Sequence, residues 1–291
     1  MMEYGVLIKG IGSFYEVLLH TGETVTCKAR GAFRREGLTP TVGDRVGIER
    51  QASGYAQLCE ILPRKNLLVR PAVANIDQLL IVVSASHPAP DWLLVDHLII
   101  SAKRLRIEPI PVLNKIDTGD DLLIDAFLQD YAAFRTILVS AETGAGIDAL
   151  NEQLAGRISC FAGQSAVGKS SLLNRILPEL QLETGGLSRK TDRGRHTTRH
   201  AELWPYAGGA VLDTPGFSLF ETDCLEQDEL NACYPEFADA EPCRFPGCMH
   251  ISEPDCGVKP LLQAGKISPA RYERYTEIAK EYQIRRKHKY D

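Results

Sequence analysis

From residue 1 to about 66 the chain alternates apolar and polar side chains in short runs broken by glycine-containing turns. Tyr4 to Gly10, Phe14 to Leu19, Thr24 to Ala29, Val42 to Ile48 and Ala56 to Ile61 carry the pattern, with a turn at His20-Thr21-Gly22-Glu23. A period of two is that of half-buried strands. About five such strands in so short a stretch predict a small closed barrel over 1–66.

After Pro63-Arg64-Lys65 the pattern changes. Asp77 to Ala85 is a continuous apolar strand, and Trp92 to Arg106 has helical periodicity. Further strands are expected at Glu108 to Leu113, Thr136 to Ser140, Ile158 to Ala162 and Ala210 to Asp213, with helical stretches between them. Alternation of this kind predicts an α/β domain over 67–220, a mostly parallel sheet with helices on both faces. Beyond it, 221–291 is charged and rich in Cys and Pro, and ends in a helical run from Pro269 to Ile284.

Composition narrows the class. The 291 residues (32.2 kDa) suffice for two or three domains with real cores, and 44% hydrophobic with 24% charged residues is ordinary for a soluble protein. A net charge of −5 neither announces nor excludes a nucleic-acid partner, because local basic patches decide that affinity. Met1-Met2-Glu3-Tyr4-Gly5 lacks a basic n-region followed by an apolar core, so no signal peptide is expected, and the longest apolar run, Leu79 to Ala85, is too short to span a bilayer. Eight cysteines without a secretion signal point to a reducing compartment, with any clustered subset binding metal. The expectation is a cytoplasmic protein without membrane contact.

The strongest local signal is Gly163-Gln164-Ser165-Ala166-Val167-Gly168-Lys169-Ser170, followed by Ser171. It fits GxxxxGK[ST] between a predicted strand and a predicted helix. Its glycines let backbone amides turn toward phosphates, Lys169 reaches the β and γ phosphates, and the Ser170 hydroxyl ligates Mg²⁺. Downstream, Val211-Leu212-Asp213-Thr214-Pro215-Gly216 ends a strand in DxxG: Asp213 can hold Mg²⁺ and the Gly216 amide can sense a γ-phosphate. Alone, DxxG is a common turn; below a phosphate loop it gains weight.

Base identity is readable in Asn114-Lys115-Ile116-Asp117. The Asp117 carboxylate can accept from guanine N1–H and the exocyclic amine, donors that adenine lacks there, and an unpaired buried polar group costs about 1–3 kcal/mol. Ser140-Ala141, at the end of another strand, are placed to meet guanine O6. The nucleotide expected is therefore GTP or GDP.

Cys243-x4-Cys248-x-His250-x5-Cys256 gathers three thiolates and an imidazole within fourteen residues. This is a closed tetrahedral set of the structural Zn²⁺ kind, with no open position, which argues against a zinc-dependent enzyme. Cys27, Cys59, Cys160, Cys224 and Cys233 lack such spacing and read as small core residues. Two features suggest RNA phosphates: a barrel loop with Arg30, Arg34 and Arg35, and the terminal run Arg285-Arg286-Lys287-His288-Lys289. A solvated basic face explains either equally well. For the barrel, the oligonucleotide-binding (OB) fold is one natural candidate.

The motifs run NKxD, SA, phosphate loop, a Thr-containing loop, then DxxG, whereas ordinary small GTPases begin with the phosphate loop. With the flanking domains, Arg70-Pro71 before Ala74-Asn75-Ile76-Asp77-Gln78, and the Cys/His set, the whole chain resembles the ribosome small subunit-dependent GTPase family of the RsgA/YjeQ/YloQ type. The resemblance implies a circularly permuted P-loop GTPase domain (67–220) between an RNA-binding OB-fold barrel (1–66) and a zinc-binding helical domain (221–291). It implies a monomeric GTP hydrolase stimulated by the 30S subunit, touching 16S rRNA and serving as a late assembly factor. Arg193-Gly194-Arg195-His196-Thr197-Thr198-Arg199 resembles the family's switch I. There His196 would orient the attacking water, or merely add to a basic RNA-facing loop; Thr198 would sense Mg²⁺, with Thr197 open by spacing. Ala166 departs from the family, whose loop usually carries glycine. Phe217 stands where Ras-like GTPases place a water-orienting glutamine. That leaves a rival: a nucleotide-gated RNA-binding adaptor whose hydrolysis is incidental. Switch II, around Pro215 to Phe220, leads almost directly into 221–291, so the γ-phosphate is a candidate control on an RNA-binding arm.

Overall fold

The computed structural model describes residues 1–31, 33, 37–52, 54–69, 71–182, 201–213 and 225–290. Strands β1 (Met2–Ile11), β2 (Phe14–Leu19), β3 (Thr24–Ala29), β4 (Arg45–Glu49) and β5 (Ala56–Ile61) close into a barrel in the order β1-β2-β3-β5-β4. Leu7, Val17, Cys27, Val46, Ile48 and Leu58 fill it, each fully buried. The strand expected at Val42 to Ile48 begins later, at Arg45. Thr41 to Asp44 instead form a turn, in which the buried Asp44 carboxylate accepts from Thr41 N (2.7 Å) and from Arg64 Nε (2.7 Å). A hairpin, β6 (Leu67–Val69) and β7 (Ala72–Ala74), follows; at three residues per strand it left no readable periodicity.

The central sheet has the order β10-β9-β8-β11-β13-β12. Its members are β8 (Gln78–Ser84), β9 (Glu108–Asn114), β10 (Ile137–Leu138), β11 (Ile158–Ala162), β12 (Leu203–Tyr206) and β13 (Gly209–Asp213). All neighbours are parallel except the edge pair β12–β13. Alternate residues of β8 enter opposite cores: Leu79, Ile81 and Val83 one, Leu80 and Val82 the other. Helices α1 (Trp92–Arg104) and α2 (Asp121–Asp130) cover the first face, and α3 (Ile147–Leu154) and α4 (Lys169–Ile176) the second. Burial on both faces is why these strands read as unbroken apolar runs.

The C-terminal unit holds α5 (Gln227–Asn231), α6 (Val258–Gln263) and α7 (Pro269–Tyr290). Its core of Leu230, Tyr234, Phe237, Val258, Tyr275 and Ile278 is continuous with Ile100 of α1. A buried ion cluster closes the junction. Asp96 of α1, fully buried, accepts from Arg271, from Arg274 Nε (2.7 Å) and from Tyr131 Oη (2.8 Å). Arg271 Nε also reaches Glu236 (2.8 Å), and its guanidinium lies 4.5 Å from the Tyr234 ring centroid. Burial alone would depress Arg271, but Asp96 and Glu236 beside it lift its pKa above the ordinary value.

Removing one partner of a buried charge pair leaves the other uncompensated. Arg271→Met is expected to destabilise the protein by about 3–5 kcal/mol in chemical denaturation. A wild-type midpoint and slope would show that the cluster contributes no stability.

Candidate nucleotide site and metal centre

β11 runs directly into Gly163, and α4 begins at Lys169, so residues 163–168 form the loop between a buried strand and a helix. Two glycines make that turn possible. Gly163 has φ +132° and a Cβ there would lie 2.1 Å from Val82 O; Gly168 has φ +97° and a Cβ would lie 2.2 Å from Asn114 Nδ2. Ala166 is accommodated in the left-handed region (φ +64°), which for an L-residue costs about 1–2 kcal/mol. The N-cap of α4 is Gly168, and no side-chain cap hydrogen bond is made there among the described residues. Lys169 Nζ donates to the loop's own carbonyls at Gly163 (2.8 Å) and Gln164 (2.6 Å). Ser170 and Ser171 occupy the first turn, half-buried.

Asn114 ends β9, next to this loop. Its buried amide donates to Val167 O (2.9 Å) and accepts from Ala141 N (3.1 Å). Lys115 Nζ donates to Ala166 O (2.9 Å) and to His87 O. The exposed Asp117 accepts from Ser140 Oγ (2.5 Å), and Ser140 Oγ accepts from Thr143 N (3.0 Å). The three segments 114–117, 140–141 and 163–171, separate in sequence, therefore meet beyond the C-terminal ends of β9, β10 and β11. Ligands of open α/β sheets bind at such ends. Asp213, the last residue of β13, pairs in register with Phe161, two residues before Gly163. His196, Thr197, Thr198, Gly216 and Phe217 lie outside the described residues, as do Arg34, Arg35, Arg70 and Cys224.

The donor atoms of Cys243, Cys248, His250 and Cys256 all lie within 4.8 Å of one another. Cys243 Sγ is 3.5 Å from His250 Nδ1 and 4.0 Å from Cys256 Sγ, and His250 Nδ1 is 3.3 Å from Cys256 Sγ. Tetrahedral coordination with bonds of about 2.0–2.3 Å sets ligand separations of roughly 3.5–3.8 Å, so the set fits one ion. Burial, then Cys243 and Cys256, push the Cys248 thiol up to about 12, and burial lowers His250. A cation held by this set would be bound by thiolates and a neutral imidazole, so its binding would release protons. Gly257 N donates to Cys243 Sγ (3.3 Å) and His250 N to Cys248 Sγ (3.4 Å), which orients those sulfurs. Cys233 stands apart: its Sγ donates to Glu229 O (3.2 Å), and burial pushes it up to about 11.

One group was not singled out from the sequence. Phe14 and Tyr55 are exposed with ring centroids 5.4 Å apart, and Lys28 Nζ lies 5.0 and 4.8 Å from them. They come from the start of β2, from β3 and from the loop before β5, near where OB folds bind oligonucleotides. Only the cross-strand register Phe14↔Lys28 reveals the grouping. In the basic tail, Arg285 and Arg286 sit 3.8 Å from Glu281 and 2.8 Å from Glu226.

A family model described as the RsgA GTPase matches residues 61–223, and one described as the RsgA N-terminal domain matches residues 4–57. The chain belongs to the RsgA GTPase family. It is a permuted P-loop GTPase, with an OB-like barrel before the sheet and a Cys₃His centre after it. Among its relatives is the small ribosomal subunit biogenesis GTPase RsgA of Geobacillus thermodenitrificans, 43% identical over 98% of this chain and 99% of that protein. The protein of the same description from Ruminiclostridium cellulolyticum is 44% identical over 96% and 93%. Of solved structures, YjeQ from Thermotoga maritima superposes with TM-score 0.84 at 36% identity, covering 97% of this chain and 99% of that one. YloQ, described as a circularly permuted GTPase, superposes with TM-score 0.83 at 34% identity, covering 98% and 96%. Among the described residues no helix is long and apolar enough to cross a membrane.

Family membership implies a guanine nucleotide. Gly168 offers a direct test, because its conformation and its contact with Asn114 both exclude a side chain. Gly168→Ala is expected to lower GTP turnover on the order of 100-fold, the effect of misplacing reacting groups by about 1 Å. Circular dichroism should remain that of the wild type. Full turnover in this variant would exclude Gly168 from the site.

Proposed function

We propose that the chain hydrolyses GTP to GDP and phosphate on the 30S ribosomal subunit, as a late assembly factor in the cytoplasm, acting as a monomer in contact with 16S rRNA. Full-length similarity to proteins described as small ribosomal subunit biogenesis GTPases supports the partner. One observation supports the chemistry: Asn114 and Lys115 are bonded to the carbonyls of Val167 and Ala166, so the segment read as base-reading lies against the loop read as phosphate-binding.

In this reading Asp117 accepts from guanine N1–H and the exocyclic amine, with Ser140 and Ala141 beside O6. Residues 163–168 wrap the phosphates, and Lys169 exchanges the Gly163 and Gln164 carbonyls for β and γ oxygens. Ser170, Asp213 and Thr198 would hold Mg²⁺, which neutralises charge on the transferred phosphoryl. The Phe161–Asp213 register supports this by bringing strand β13 alongside the strand that feeds the loop. The Gly216 amide contacts the γ-phosphate, and His196 orients water in place of the glutamine that Phe217 replaces. On the RNA side, Lys28, Arg30 and the Phe14–Tyr55 pair offer charge and stacking surface.

Turnover of GTP against ATP, with and without 30S particles, in wild type and His196→Ala, tests the reading. GTP is expected to be preferred and subunits to accelerate it, while His196→Ala binds GTP but turns over about 100-fold or more slower. An unchanged rate in that variant removes His196 from catalysis. Wild-type hydrolysis indifferent to subunits would favour the adaptor instead.

The Cys₃His set would hold one structural Zn²⁺, since its donors are soft and all four positions are filled. Chelation is expected to release one zinc per chain and unfold the C-terminal unit, because such binding is worth about 10–16 kcal/mol. Metal analysis with thermal unfolding checks this; a chain that melts identically without metal refutes a structural role.

A further inference from the structure

Helix α7 grips two parts of the molecule from adjacent positions. Tyr272 Oη donates to His250 O, and Tyr275 Oη donates to Met249 O (2.7 Å), so these side chains hold the metal-binding loop. One position earlier in each case, Arg271 and Arg274 turn the other way, toward α1 and α2. Arg274 Nε meets Asp96 (2.7 Å) and its Nη2 meets Asp130 Oδ2 (3.0 Å), while Ser268 Oγ donates to Asp130 Oδ1. Both oxygens of Asp130 are thus engaged by the C-terminal unit.

Asp130 is the last residue of α2, and α2 is the helix that follows the guanine-reading loop. Its N-cap, Asp120, accepts from Leu122 N and lies three residues after Asp117. Gly119 between them approaches Ala85 so closely that a Cβ would fall 2.7 Å from the Ala85 methyl. Along α2 only Phe127 is fully buried, and Leu122 is 77% exposed. Leu123, Ile124 and Phe127 seat α2 on the sheet while its outer side stays exposed, so the bonds at Asp130 add a second constraint on how it sits.

We infer that Arg274 and Asp130 are positioning residues for guanine selection: α7 holds α2 by its far end, and α2 places the loop that carries Asp117. Metal occupancy and preference for guanine are then linked, and linkage is reciprocal. The inference rests on Asp117 as the base reader.

The test is fluorescence titration of the full-length, metal-loaded protein with labelled GDP and labelled IDP. Inosine lacks the exocyclic amine, so the GDP/IDP affinity ratio reports the placement of Asp117, which a loss of folded protein would not alter. Arg274→Met is expected to lower GDP affinity on the order of five-fold and IDP affinity less, so that the ratio falls about three-fold. Asp130→Asn should do the same, the double variant no more than either, and Arg274→Lys should restore part of the ratio. Removing the metal from wild type should lower the ratio as well. Arg244→Ala, which breaks the exposed Arg244–Asp255 pair beside the metal site, should leave it unchanged. A folded Arg274→Met with the wild-type ratio overturns the inference, as does a ratio indifferent to metal. Should Arg274→Met not fold, Asp130→Asn decides by the same criterion. A wild type that does not distinguish GDP from IDP overturns the reading of Asp117 itself.

Discussion

The site depends on one buried side-chain amide. Asn114 ends a central strand, donates to the phosphate loop at Val167 and accepts from the backbone at Ala141. Asn114 and Val167 are buried, and an unsatisfied buried polar group costs about 1–3 kcal/mol. Geometry admits little else, because the space against Gly168 is too small for even a methyl group. This one side chain thereby ties together three segments distant in the chain. Pre-arranged donors and acceptors are what let a site discriminate between bases.

Around that clasp, the sheet does the positioning. Strands β8, β9, β11 and β13 run parallel, so their C-terminal ends deliver Ser84, Asn114, Ala162 and Asp213 to one edge. Permuting the chain order alters which loop joins which strand, but not which strand ends lie together. The barrel shares a core with one face of this sheet, and Lys9 of β1 pairs with Glu202 (2.7 Å) next to β12.

Much of this was legible in the residues because strong local rules coincide. Continuous apolar runs marked the strands of the parallel sheet; glycines at fixed offsets marked the phosphate loop; four soft ligands within fourteen residues marked the metal centre. What escaped depends on partners far along the chain. The Phe14–Lys28–Tyr55 group needs strand register, and hairpin β6–β7 and edge strand β12 are too short to show a period. The ion cluster was invisible for the same reason: Asp96, Asp130 and Arg271 look like ordinary surface charges on helices until the fold buries them.

That cluster changes how a nucleotide signal can reach the C-terminal unit. From the sequence, the expectation is that switch II, leading almost directly into 221–291, lets the γ-phosphate bias the angle of an RNA-binding arm. In the structure α7 is also bonded to α1 and α2 through buried charges, and breaking such a pair costs about 3–5 kcal/mol. Coupling between sites is typically worth about 1–3 kcal/mol, too little to tear those bonds in every cycle. Motions of the C-terminal unit that keep these charges paired therefore move α1, α2 and α7 together.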